Sequence, residues 1–204
     1  MKETFRIAVL MTIITTVIFG LIYPFAVTGL AQLLFPSKAN GSLIYSHASN
    51  GQATVVGSRL LGQTFTGPGY FHSRPSMAGD GYDAANSGGS NLAPTNHALL
   101  DRVKGDVEKL RAENPGAAIP VDLVTTSASG LDPDISPDAA EFQIPRVAKE
   151  RGMSVTDLRA LVARRTLGRQ FGILGEPRVN VLELNMELDA TSPVKKWQKS
   201  VVKK

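Results

Sequence analysis

The chain has 204 residues, no cysteine and a formal net charge of +4. Without thiols it has no disulfide framework, zinc–thiolate site or cysteine nucleophile. The first 37 residues carry +1 and residues 189–204 carry +4, so residues 38–188 total −1; such a domain lacks the clustered basic face that nucleic-acid binding requires.

From Ile7 to Ser37 the chain contains no Asp, Glu, Lys, Arg or His. About 20 apolar residues cross a bilayer core, so this run is long enough to span it with residues left over for tilt. Thr12, Thr15, Thr16, Thr28 and Gln32 are its polar members. Pro24 removes a backbone donor and predicts a bend. Thr16, Gly20 and Gly29 are small enough for a neighbouring helix to approach closely, or are simply tolerated in lipid. Ala26-Val27-Thr28 offers a small-x-small cleavage site, but apolar sequence resumes at once. That favours an uncleaved anchor over residues 1–37 rather than a signal peptide. Lys2 and Arg6 before the run outweigh Lys38 after it, which points to a cytoplasmic N-terminus and a translocated domain.

Residues 38–53 are small and polar and read as a linker into the domain. Short strands are expected at Thr54–Gly57 and Leu60–Phe65, with a third at Tyr70–His72. Residues 73–94 are rich in Gly, Pro, Ser, Asp and Asn, and a loop of about 20 residues in a compact domain is often functional. Leu99, Val103, Val107 and Leu110 recur at helical spacing between a cap at Thr95 or Asn96 and the stop at Asn114-Pro115-Gly116. Pro120–Thr125 reads as a strand. Ser136-Pro137-Asp138 starts a helix to Gly152, with a kink or break expected at Pro145. Ser154 caps another helix through Leu167. Leu182, Leu184, Met186 and Leu188 alternate with polar residues, as in a half-buried strand. The expected fold is therefore one N-terminal transmembrane helix plus a soluble domain over residues 38–190, α/β or α+β. Residues 191–204 hold five lysines around Trp197. They read as a disordered basic tail, with contact to anionic lipid as the alternative.

Few of the motifs carry chemistry. Gly57 to Thr64 has the glycine spacing of a phosphate loop, but Gln63 occupies the place of the essential lysine. His72 with Asp80 or Asp83 and Ser87 or Ser90 supplies the residue types of a hydrolase triad, without the Gly-x-Ser-x-Gly elbow that exposes a nucleophile. Asp132, Asp134 and Asp138 are close in sequence, but Pro133 and Pro137 forbid a calcium-binding loop and the segment reads as a turn into a helix cap. Catalytic and metal-binding residues are thus expected to be absent. Ser87-Gly88-Gly89-Ser90-Asn91 lets backbone approach a partner closely and offers N–H donors, or forms an ordinary turn.

Several blocks together resemble one family. They are Leu21-Ile22-Tyr23-Pro24 with Thr28-Gly29, Gly57-Ser58 with Gly62-Gln63, and Tyr70 through Ser76. Tyr82-Asp83 with Ser87 through Leu92, Pro120 through Thr125, Ser129 through Pro137, Arg146-Val147-Ala148 and Gly175 through Leu182 complete the set. In this order they are similar to KdpC, the C subunit of a bacterial potassium-transporting P-type ATPase. The likeness implies a non-catalytic accessory subunit of the inner membrane, with its domain in the periplasm. Its implied partners are an ATP-hydrolysing subunit, a channel-like potassium-translocating subunit, a very small membrane subunit and membrane lipid. Nucleic acid is not among them. The likeness also implies a catalytic-chaperone role, raising the ATP affinity of the hydrolysing subunit with no cofactor of its own. By analogy with the signature loop of ABC transporters, Ser87, Gly88, Gly89, Ser90 and Asn91 would touch nucleotide. The charge bias opposes this, because it places the loop where ATP is absent. The alternative is a membrane-anchored extracytoplasmic hydrolase.

Overall fold

The computed structural model describes residues 1–47 and 53–192. The lysines from 195 onward and Trp197 lie outside the described residues. The chain divides into two compact units, Met1–Ser58 and Arg59–Lys204.

In the first unit, α1 (Lys2–Thr15) continues through a π-helical stretch, Thr16–Ile22, into α2 (Tyr23–Leu34). Together they form one 33-residue helix, with an 18-residue stretch of mean hydropathy 2.3, that is long and apolar enough to cross a membrane. At 1.5 Å per residue it is about 50 Å long, more than a hydrocarbon core of about 30 Å requires. Thr12 and Thr15 return their hydroxyls to the carbonyls of Ala8 and Met11, at 2.9 and 2.8 Å, so neither leaves its donor unsatisfied. Ahead of Pro24 the helix departs from α geometry without being interrupted. Proline has no N–H for the Gly20 carbonyl and its ring crowds that carbonyl. The preceding turn widens instead, and Tyr23 N–H reaches Ile18 O, five residues back.

A single turn, α3 (Pro36–Ala39), follows. The amide groups of Gln32 and Asn40 exchange hydrogen bonds of 3.3 and 3.2 Å across it. The expected linker is then interrupted by a strand. β1 (Leu43–His47) pairs antiparallel with β2 (Ala53–Ser58), with a bulge between Ile44 and Tyr45. The strand expected at Thr54–Gly57 is thus present, and its partner lies in sequence whose polar composition concealed it.

The second unit is helical with a small sheet. α4 (His97–Glu113) begins at Asn96, whose side chain accepts from Ala98 N. Two short strands and two helices follow: β3 (Asp134–Ile135), α5 (Pro137–Arg151), α6 (Val155–Arg165) and β4 (Thr166–Leu167). β5 (Arg178–Asn180) and α7 (Val181–Thr191) complete the unit. The strand order is β3-β5-β4, antiparallel throughout, so the mixed class resolves to α+β. The core is apolar and sits between α5, α6, α7 and β5, with Ile144, Val147, Leu158, Leu161, Val179 and Leu184 almost fully buried.

Ser136 and Ser154 cap α5 and α6, accepting from Ala139 and Asp157 N–H. α5 runs unbroken through Pro145. Its sequence buries Phe142, Ile144, Val147 and Ala148, and that packing outweighs one lost backbone hydrogen bond. α6 ends at Arg165, two residues earlier than expected, because Thr166 and Leu167 pair with β5.

Four expected elements are overturned. Residues 182–188 are helix, not strand. The buried positions are Val181, Leu182, Leu184, Asn185 and Leu188, which follow a helical stripe, while Met186 is only half-buried. Asn180 starts the helix by accepting from Glu183 N at 3.1 Å. Pro120–Thr125 holds a 3-10 turn, Val121–Leu123. The Asp122 carboxylate there accepts from Ser136 N and Oγ, at 2.7 and 3.1 Å, which pins the segment to the start of α5. Leu60–Phe65 is irregular, with Leu60 exposed; Gly62 N donates to Leu131 O at 2.8 Å. Tyr70–His72 is extended in sequence character but pairs with no strand, for a reason given next.

The glycine-rich loops as a candidate interaction site

Two buried amide side chains take the place of a neighbouring strand for Phe71 and His72. Asn185 on α7 accepts from Phe71 N and donates to Phe71 O, both at 2.9 Å. Gln143 on α5 accepts from His72 N at 2.7 Å and donates to His72 O at 3.1 Å. Each primary amide presents one acceptor and one donor, the same pair a strand would offer. The segment is thereby fixed against the core, and Phe71 is fully buried.

From this anchor the chain enters the long loop, residues 73–94, which lies against residues 125–132. Arg74 reaches across it. Its Nη1 donates to Asp132 Oδ2 at 2.9 Å and its Nη2 to Thr125 Oγ1 at 3.2 Å. Ser76 Oγ donates to Gly130 O at 2.6 Å and accepts from Tyr82 N at 2.8 Å. Tyr82 donates its hydroxyl to Arg74 O. Burial drives the Tyr82 phenol up to about 12, so it remains a donor at any physiological pH. The hydroxyl of Ser87 and the N–H of Gly88 both donate to Ser129 O, at 3.0 and 2.9 Å.

The glycines are explained by this closeness. A Cβ at Gly62 would lie 2.5 Å from Asp132 O and 2.6 Å from the Tyr82 ring. At Gly130, where φ is +67°, it would lie 2.7 Å from Gly88 O. At Gly89 it would lie 3.1 Å from Ala128 O. Asn91 adopts φ 52°, a conformation asparagine tolerates better than most residues. The segment proposed by analogy to touch nucleotide therefore directs Ser87 Oγ and Gly88 N inward. Ser90 faces a groove of about 510 Å³ that it shares with Leu99, Leu100, Arg102 and Val103.

The hydrolase residues are not brought together. His72 Nε2 lies 3.0 Å from Gly67 O, not beside a serine. Asp83 caps a 3-10 turn by accepting from Ala85 N at 2.9 Å. Ser90 Oγ accepts from Leu92 N. Asp132, Asp134 and Asp138 line one groove of about 470 Å³, but among the described residues no group of three or more His, Cys, Asp or Glu is placed to hold a metal ion. Asp132 holds Arg74, Asp134 pairs with Arg178 at 3.0 Å, and Asp138 sits in the first turn of α5. No helix follows Gly57–Thr64 to make a phosphate cradle.

His72 gives a pH-dependent prediction. Burial, then the nearby Arg146 guanidinium, hold its imidazole below the ordinary value, against an opposing pull from the Gly67 carbonyl. Unfolded imidazole titrates near about 6.5. Below that pH the unfolded chain binds a proton that the folded chain refuses, so stability falls with acidification. The melting temperature of the full chain should drop between pH 7.5 and 5.5, above the range of ordinary carboxylates. His72→Gln should flatten that part of the profile. An unchanged slope in the variant would assign the effect to another group.

The blocks at residues 70–76, 82–92, 120–125 and 129–137 fall in or beside this network. Residues 5–190 match the profile of the family described as KdpC, K+-transporting ATPase, c chain. The chain belongs to the KdpC family. Similar proteins carry the name potassium-transporting ATPase KdpC subunit. The one from Koribacter versatilis is 63% identical over 194 residues, covering 95% of this chain and 98% of its own. That from Acidobacterium capsulatum is 61% identical, covering 90% and 96%. The Myxococcus xanthus protein is 55% identical, covering 93% and 89%. In this chain Arg74–Asp132, Tyr82, Gly62 and Gly130 are the joint that holds the two long loops together. Sequence reading missed that Asn185 and Gln143 are buried amides. Their only signal was a polar residue on the apolar stripe of a helix.

Proposed function

We propose that this chain is a non-catalytic accessory subunit of an ATP-driven potassium uptake complex, tethered by its N-terminal helix with its second unit outside the cytoplasm. The near full-length likeness to proteins named as the KdpC subunit carries the reading. The polar groups of the loop network, closed onto one another, also fit a scaffold better than a reaction centre. Lys2 and Arg6 ahead of the apolar run support the orientation. In this reading the second unit covers the external mouth of the channel-like subunit and steadies the assembly with the ATP-hydrolysing and small membrane subunits. Its effect on ATP affinity is coupling through the complex. Ser87 to Asn91 need not touch nucleotide.

Such couplings commonly amount to about 1–3 kcal/mol, or roughly 5–150-fold in affinity. Removing this chain from the co-expressed complex should raise the half-saturating ATP concentration about tenfold and abolish high-affinity potassium uptake. Protease added to intact spheroplasts should cut the second unit. Undiminished uptake without the chain would overturn the role, and full protection from protease would overturn the orientation.

A further inference from the structure

The most exposed apolar cluster of the second unit lies at the end of the β4–β5 hairpin, which no contact of the loop network uses. Residues 168–177 join the two strands. Phe171 is 91% exposed, Ile173 76% and Leu174 55%. Exposed apolar residues scattered singly are ordinary, whereas a cluster marks a contact surface.

The tip is built rather than loose. Gln170 and Leu174 exchange backbone hydrogen bonds of 2.8 and 2.9 Å. Gly172 N and Ile173 N add bonds to Arg169 O and Gln170 O. Phe171 itself is held at φ 52°, a strained conformation for a bulky side chain. Backbone strain of this kind persists where the surrounding structure enforces it and clusters at functional positions. Here it accompanies a phenyl ring left in solvent.

The charges around the tip say what covers it. Arg169 is closed onto Glu176 at 2.7 Å, Arg178 onto Asp134 at 3.0 Å, and Arg164 and Arg165 onto Glu187. A segment that binds an anionic bilayer uses free Lys and Arg. Every guanidinium of this collar is engaged by a carboxylate, four meeting three so that one positive charge is left over, the pattern of an aromatic anchor within a rim of satisfied polar groups at a protein interface.

We propose that residues 168–177 dock the second unit onto another protein subunit of the pump, with Phe171, Ile173 and Leu174 filling an uncharged apolar socket. The inference rests on the reading of the chain as a pump subunit.

The test uses the full chain co-expressed with the other subunits. Phe171 is replaced by photoreactive p-benzoylphenylalanine and membranes are irradiated before solubilisation. An adduct with another pump subunit, identified by mass spectrometry, is the expected result. An adduct with lipid, an adduct with a second copy of this chain, or no adduct would each overturn the inference. In parallel, Phe171→Asp with Ile173→Asp should cut the chain retained with the complex in mild detergent at least tenfold, while the melting temperature of the full chain stays unchanged. If the wild-type chain is not retained, the subunit reading itself fails. If wild type and variant are retained equally, only the docking assignment fails.

Discussion

Asn185→Leu is expected to lower the melting temperature of the full chain by about 10 °C, the largest single effect of a near-isosteric change in this protein. The substitution fills the same space with apolar atoms, so no cavity opens. It leaves Phe71 N–H and C=O without the partners they have at 2.9 Å. Each orphaned buried group costs about 1–3 kcal/mol. Added burial of the leucine methyls offsets part of that sum, which leaves about 3 kcal/mol net. For a chain of this size each kcal/mol shifts the midpoint by about 2–4 °C. Far-UV dichroism on detergent-solubilised chain measures it. A shift under 3 °C would mean that Phe71 finds other partners, and the strand-like anchoring of residues 71 and 72 would have to be abandoned.

Gly130→Ala should destabilise the second unit by about 3 kcal/mol, whereas Gly88→Ala, 42 positions earlier, should change it by less than about 0.5 kcal/mol. At position 130 an alanine pays about 1 kcal/mol for the left-handed backbone. Its Cβ also falls 2.7 Å from Gly88 O and 2.8 Å from Ala78 N, and relieving such an overlap costs about 1–3 kcal/mol. At position 88 no atom lies within 4 Å of the added carbon. Limited proteolysis reports the same contrast, with cleavage in residues 73–94 accelerated for the first variant only. The pair also separates two roles for the Ser-Gly-Gly segment. If Gly88→Ala folds normally yet weakens ATP affinity in the assembled pump, the segment meets a ligand or partner. If both stability and affinity are preserved, position 88 meets neither ligand nor partner, and within the segment only Gly89, where a Cβ would lie 3.1 Å from Ala128 O, is required by the joint.

The elements that depend on local chemistry were legible in the sequence. Asn96, Ser136 and Ser154 announced their helices because a cap needs a short polar side chain and little else. The apolar run announced the long N-terminal helix by length alone. The failures share a different cause. The alternation at 182–188 matched a strand, but the buried helical face through 181, 182, 184, 185 and 188 contains three of the same leucines, and tertiary burial chose between them. Tyr70–His72 had strand character without a strand, because its hydrogen-bond partners are side chains more than 70 residues away. In the glycine-rich loops the residues of the joint were readable as unusual, but not as mutual neighbours. Glycine in sequence says only that space or backbone freedom is needed, while the atoms that demand it, such as Asp132 O at Gly62, belong to a distant segment. The hairpin end at Phe171 lay inside a stretch that helical and strand periodicities both passed over.

The widened turn at Thr16–Ile22 has a geometric consequence for whatever surrounds the anchor. A turn closed by bonds to the fifth residue back holds more residues than an α-turn, so the angular phase of side chains slips along it. The small residues Thr16 and Gly20 are set within the slip and Gly29 beyond it, which gives the two halves of one continuous rod differently oriented contact faces. Pro24 is then a phasing device: replacing it with alanine would rotate one half of the rod relative to the other without shortening either.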